Sequence, residues 1–327
     1  MRSEALLSVR DLRIAFDGVE AVRGLSFDVR PREVLAVVGE SGAGKSLTAR
    51  ALLGMLPPGA TAGGTVRLLG ETDLAAQRGR RIALVPQDAL SALSPVHRVG
   101  DQLAAAVRSV ARVSRREARA RAVAALDRVG IPDATRKARA YPHEFSGGMR
   151  QRAVIAMATI NEPDVLVADE PTTALDEERR DQVLRVLGEQ REAVGAALVL
   201  VTHDLDVVRR HADRALVMYA GRLTELGPAD EVLTRPLAPY TAGLLASLPE
   251  HARGRRLPTL PGTPPAPGAL PAGCAFAPRC PLAAEACHHE EPEPVPVDER
   301  LVACHRWAQV PDLAVELFME KPHASSS

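Results

Sequence analysis

"EVLAVVGESGAGKSLTARALLGML", residues 33–56, decides the fold of this chain. It is apolar without a break from Val34 to Val38, as in a strand buried on both faces. Gly39, Glu40, Ser41, Gly42, Ala43, Gly44, Lys45 and Ser46 follow and match G-x-x-x-x-G-K-[ST], with a helix reading on from Lys45. In that strand–loop–helix context, backbone N–H groups from Ser41 to Ser46 are expected to wrap phosphates. Lys45 is expected to reach the outer phosphate oxygens, and the Ser46 hydroxyl to ligate Mg²⁺. Lys45, Lys137 and Lys321 are the only lysines in an arginine-rich chain, which makes a lysine at this position more telling.

Working outward, 327 residues suffice for one large or two moderate domains. Forty-one basic and 41 acidic residues balance, so bulk attraction to nucleic acid is not indicated. The longest apolar run, "AVGAALVLV" at 193–201, is far short of the roughly 20 residues of a membrane helix. "MRSEALLSVRDLRIAF" lacks the apolar stretch of a signal peptide, so a soluble chain is expected. All four cysteines lie in the last sixth, and 14 of the 26 prolines fall after residue 248. That shift places a boundary there, giving units 1–248 and 249–327.

"LLSVRDLRIAF" and "LSFDVR" alternate as strands do. "RIALVPQ" (81–87), "DVLVADE" (164–170) and "ALVLVTHD" (197–204) read as short strands, and 214–227 as a hairpin turning at Ala220–Gly221. Residues 99–130 and 176–193 read as helices. Buried strands alternating with helices predict an α/β fold around a parallel sheet. The prolines beyond 249 argue against regular elements there.

Asp169 and Glu170 end one of these strands. Phosphoryl transfer needs one carboxylate on the metal and one on the attacking water, and this pair can serve both. Gln87 and His203 end two more strands of the inferred sheet, where ligands gather. Gln87 could sense Mg²⁺ or the water, and His203 the γ-phosphate. "YPHEFSGGMRQRAVIAMA" (141–158) adds a serine and two glycines ahead of a helix, a second N-terminus suited to an anion.

In this order, residues 39–46, Gln87, "FSGGM" (145–149), "VLVADE", "ALD" (174–176) and His203 resemble the motifs of ATP-binding cassette (ABC) ATPases over roughly residues 5–235. The resemblance implies a RecA-like P-loop NTPase core, an antiparallel β subdomain and a helical signature subdomain at about 88–160. It implies ATP hydrolysis with Mg²⁺ held by Ser46, Gln87 and Asp169, and catalysis by Glu170, His203 and Gln87. Phe16 stands where an aromatic stacks on adenine, and Leu47 closes the nucleotide-binding set of residues 39–47. Ser146, Gly147, Gly148 and Met149 would serve the nucleotide of a second cassette, with Asp176 at the seam. The family usually has Leu and Gln where this chain has Phe145 and Met149.

"VPQDALSALSPVHRVGDQL" (85–103), "PLAPYTAGLLASLP" and "LPGTPPAPGALPAGCAFAPRCPLAAEAC" are similar to the dipeptide/oligopeptide importer ATPases, whose architecture nickel importers share. The resemblance implies a peripheral subunit on the cytoplasmic face of the membrane. Its implied partners are a second ATPase (a paralogue), two permeases and an extracytoplasmic binding protein. A soluble cassette protein acting on nucleic acid or ribosomes would carry two cassettes or a long coiled coil, and neither is present.

Cys274, Cys280, Cys287 and Cys304 fall within 31 residues of a Pro-rich and Cys-rich C-terminal extension. Disulfides are not expected in a cytoplasmic protein. The irregular spacing suits an iron–sulfur cluster better than zinc, although His288, His289 and His305 could replace a thiolate in a zinc site. The importer resemblance points to [4Fe-4S], with Zn²⁺ as the alternative.

Overall fold

The computed structural model describes residues 5–173, 175–248, 260–311 and 313–318. Ala174, the first eleven residues of the expected extension (249–259) and the tail from 319 lie outside them. The strands are β1 (Leu7–Phe16), β2 (Val19–Val29), β3 (Val34–Val38), β4 (Ala60–Leu68), β5 (Ile82–Val85), β6 (Val165–Asp169), β7 (Ala197–Val201), β8 (Arg214–Tyr219), β9 (Arg222–Pro228), β10 (Val295–Val297) and β11 (Arg300–Val302). A small antiparallel sheet has the order β2-β1-β4, and the main sheet runs β10-β11-β9-β8-β3-β7-β6-β5. From β8 to β5 the main sheet is parallel.

Every residue of β3, β6 and β7 is buried, because helices or the small sheet cover both faces. Alternate residues of β3 serve different cores. Leu35 and Val37 pack with β1, β2 and the helix Lys45–Leu52, whereas Ala36 and Val38 pack with Tyr219, Tyr240 and Phe276. Val37 and Asp169 both pair with Val201, so β3, β7 and β6 end level with one another. That levelling brings the loops after separate strands to one edge of the sheet.

The region 99–130, expected to be helical, holds two helices, Val99–Val110 and Arg115–Arg128. Ser114 caps the second by accepting from the Glu117 N–H at 3.1 Å, a competing local bond that breaks the run. β4 escapes a reading by alternation because Gly63 and Gly64 interrupt it. Its pairing with β1 makes it a strand, and a Cβ on Gly64 would stand 2.1 Å from Asp11 O. The hairpin β8–β9 turns as expected at Ala220 and Gly221, both at positive φ.

Proline does not keep the extension free of strands. β11 pairs with β9, and Pro296 sits in the edge strand β10, where a missing donor is tolerated. From 260 to 289 the backbone forms only short turns and the helix Glu285–His289.

Candidate nucleotide site

β3 delivers the chain into the loop 39–46 at a point with no room for a side chain. Gly39 has φ +151°, and a Cβ there would lie 2.2 Å from Met218 O. Gly44, at φ +95°, precedes the helix Lys45–Leu52, which has no side-chain cap. Its first N–H groups therefore stay available to an anion. Lys45 is buried to 6% exposure, and its Nζ donates to Gly39 O (2.9 Å) and Glu40 O (3.0 Å). Burial lowers its pKa, while Glu170, Asp169 and Glu40 pull the other way. Ala43 is buried, Ser41 and Gly42 are exposed, and Leu47 is half-buried beside the helix core. Glu40 stands apart from the rest of the loop: its carboxylate faces Arg279, and its N–H donates to Tyr240 Oη at 2.8 Å.

The two carboxylates of the pair face different partners. Ser46 Oγ donates to Asp169 Oδ1 at 2.8 Å, so two oxygen ligands suited to a hard cation share one spot. Burial raises the pKa of Asp169, with Ser46 opposing and Glu170 adding to the rise. One residue on, Glu170 takes φ +44° while its N–H still donates to Val201 O. Its Oε2 accepts from Gln87 Nε2 (3.3 Å) and lies 3.4 Å from His203 Nδ1. The structure thus gathers Gln87, Glu170 and His203 from the ends of three strands. It adds Thr173, whose Oγ1 donates to the same Oε2 at 2.8 Å. Sequence reading missed Thr173. The available signal was a hydroxyl three residues after a strand-ending acid, a common turn spacing.

Ser146 caps the helix Gly147–Thr159 by accepting from the Met149 N–H. Phe145 is buried in the helical core with Lys137 Nζ 5.4 Å from its ring, so it anchors this turn as a leucine would. Met149 packs partly against the same core. Gln151, also missed from sequence, is buried and donates to Pro171 O, which ties this helix to the segment after Glu170. Gly147 and Gly148 have no positive φ, and a Cβ on either would meet nothing within 4 Å. Among the described residues, no hydrogen bond or ion pair joins 145–149 to 39–46. Asp176 is exposed and caps the helix Glu177–Val194 through the Arg179 N–H. Phe16 is half-buried where β1 turns into β2, paired with Val19.

Within the 31 residues that hold the four cysteines, backbone bonds join some of them. The Cys274 N–H donates to Cys287 O, and the Arg306 N–H to Cys304 Sγ at 3.2 Å. Burial pushes Cys280 up to about 11 and Cys304 up to about 12, and the charges of the neighbouring cysteines add to both. Among the described residues, no three His, Cys, Asp or Glu side chains are placed to hold a metal ion. His289 and His305 bond instead to Glu285 and to the Glu290 carbonyl. Among the described residues, no helix is long and apolar enough to cross a membrane.

Residues 22–173 match the family model for the ABC transporter, and residues 224–287 that for the oligopeptide/dipeptide transporter C-terminal region. The oligopeptide transport ATP-binding protein OppD of Escherichia coli is 43% identical over 317 residues, covering 93% of this chain and 94% of that one. A putative peptide import ATP-binding protein of Brucella abortus is 44% identical, covering 95% and 99%. OppD of Mycobacterium tuberculosis is 49% identical over 92% of this chain, which spans 52% of that relative's length. Among solved structures, cbiO1 from Clostridium perfringens, part of the ABC transporter complex cbiONQ, superposes with a TM-score of 0.60 at 28% identity, covering 70% and 90%. A dimeric post-hydrolysis ATP-binding cassette bound to ADP and phosphate gives 0.59 at 24% identity, covering 68% and 98%, a likeness of fold.

Proposed function

The chain belongs to the ABC transporter ATP-binding family, in its oligopeptide-importer branch, and from that premise we propose that it hydrolyses ATP to drive peptide import. The observation that carries this reading is the convergence of Lys45, Ser46, Asp169, Glu170, Gln87 and His203 on one sheet edge. Lys45 and the uncapped helix N-terminus hold the triphosphate. Phe16 receives the adenine. Ser46 and Asp169, with Gln87, would hold Mg²⁺, which would supply positive charge to offset that of the phosphates. Gln87 and Thr173 aim the Glu170 carboxylate, and Glu170 orients the attacking water and draws its proton. His203 meets the γ-phosphate.

A second cassette closes the site. A helix glycine costs about 0.5–1 kcal/mol relative to alanine, yet neither φ nor packing within this chain calls for glycine at 147 or 148. An incoming triphosphate on a paired ATPase supplies the reason, because it must approach that backbone closely. Each chain then offers Ser146, Gly147, Gly148 and Met149 to its mate's nucleotide, with Asp176 at the seam. The mate is a paralogous ATPase. Two permeases and an extracytoplasmic binding protein complete the importer, and the chain sits on the cytoplasmic membrane face.

Cys274, Cys280, Cys287 and Cys304, of which Cys287 is buried and the others half-buried, would be the ligands of a [4Fe-4S] cluster. Their clustering within 31 residues of sequence and the N–H donor on Cys304 Sγ support a four-thiolate ligand set. Burial raises the pKa of Cys274, Cys280 and Cys304, so thiolate ligation at those three would release protons. Iron and sulfide analysis of anaerobically purified protein tests this; stoichiometric zinc with no iron rejects it. Reconstitution of the chain with its permeases and binding protein in liposomes tests the function. Peptide uptake should require ATP and stop with Glu170→Gln. Uptake that persists in that variant, or that ignores peptides, contradicts the proposal.

A further inference from the structure

The turn Ala277–Arg279, between Cys274 and Cys280, reaches the phosphate loop from behind. Arg279 makes a two-point ion pair with Glu40, Nη1 to Oε2 at 2.7 Å and Nη2 to Oε1 at 3.0 Å. Its Nε donates to Pro261 O, and Nη1 also reaches Tyr219 Oη. The guanidinium lies 5.7 Å from the ring centres of both Tyr219 and Phe276. Few freedoms remain to it: the arginine side chain is 5% exposed. Planar two-point pairing of this kind is what arginine does and lysine cannot.

Glu40 is therefore held from three directions. Its carboxylate is on Arg279, its N–H on Tyr240, and its carbonyl accepts from Lys45 Nζ. The loop is also held at Ala43 O, which accepts from the Gly221 N–H at 3.2 Å. The same extension reaches the β1–β2 turn, where a Cβ on Gly268 would stand 3.9 Å from Val19 beside Phe16. Glu40 is part of the phosphate loop and its carbonyl shares Lys45 Nζ with Gly39 O, so a bare carboxylate at position 40 would stand close enough to repel a bound triphosphate.

We propose that Arg279 is a positioning residue for nucleotide binding: it neutralises and aims Glu40, so that the cysteine-bearing extension sets the affinity of the phosphate loop. This rests on the reading of residues 39–46 as the nucleotide loop. Tethering and neutralisation make separable predictions. Removing the arginine frees the loop and also exposes the anion. Removing the Glu40 charge as well takes away the repulsion and leaves only the lost tether.

The test is the MgATP dissociation constant of the full chain, with thermal melting alongside. Arg279→Ala should weaken binding about tenfold, the scale of one partly buried charge interaction. The double variant Arg279→Ala/Glu40→Gln should recover to within about threefold of wild type. Arg279→Lys, which keeps the charge and much of the packing, should fall between wild type and Arg279→Ala, and it carries the test if Arg279→Ala fails to fold. Unchanged affinity in Arg279→Lys and Arg279→Ala overturns the proposal. So does a double variant that binds no better than Arg279→Ala, because loss of packing alone gives no rescue. A wild-type chain that binds no MgATP, and so matches Lys45→Ala, overturns the parent reading as well. Binding by wild type with no effect at position 279 overturns this inference alone.

Discussion

Replacing Gly147 and Gly148 with alanine should stabilise the isolated chain while disabling the assembled one. Both open the first turn of the helix Gly147–Thr159, neither has a positive φ, and a Cβ on either points into open space. Alanine there should gain about 0.5 kcal/mol per site, the low end for helical glycine at a first-turn position. For the pair that is about 1 kcal/mol, or about 1–2 °C in melting temperature for a chain of this size. In the complete importer, two methyl groups would stand where a mate's phosphates must come close. A displacement of about 1 Å there costs on the order of 10²-fold in turnover. Calorimetric melting of the isolated chain and ATPase assays of the complete importer check the two halves. A lower melting temperature would mean that the glycines serve this chain's own fold. Full turnover in the assembly would mean that they serve nothing at the phosphates. Either result refutes the reasoning.

Glu170→Gln should leave MgATP affinity near wild type and cut turnover by about 10²–10⁴-fold, the worth of a placed general base; near-normal single-turnover rates would remove Glu170 from that role. Thr173→Ala should lower turnover about tenfold, the value of one hydrogen bond to a charged group, with Thr173→Ser restoring it; an equal loss in both variants would contradict the hydroxyl's part. Arg300→Met strips the counter-charge, 3.5 Å away, from fully buried Glu225, and should cost about 3–5 kcal/mol at neutral pH by urea unfolding. Burial already raises the pKa of Glu225 above its usual value, so its folded form takes up a proton more readily than its unfolded form. Part of the loss should therefore return as the pH falls through the folded pKa; a penalty that grows on mild acidification would show that the sign is wrong.

What could be read from sequence was what is local. The loop 39–46, the Asp169–Glu170 pair and the Ser146 cap each need only neighbours along the chain, so residue order reveals them. Gln87 and His203 needed one further assumption, that their strands share a sheet, and the register of β5, β6 and β7 satisfies it. Contacts made across large separations were not legible. Arg279 meets Glu40 from 239 residues away, Gln151 reaches Pro171, and β11 finds β9 through three-dimensional packing alone. β4 was hidden because glycines break the alternation that marks a strand. Proline content misled for the opposite reason, since an edge strand such as β10 can do without a donor.

The central claim is that the turn at Ser146 serves a different chain's nucleotide from the one Lys45 holds. It is tested most directly by Ser146→Arg in a Glu170→Gln background, measuring MgATP affinity of the isolated chain and MgATP-dependent association with the partner ATPase by light scattering. The account predicts unchanged affinity and abolished association. Affinity that collapses in the isolated chain, as it should for Lys45→Ala, would place both phosphate cradles on one nucleotide and contradict it.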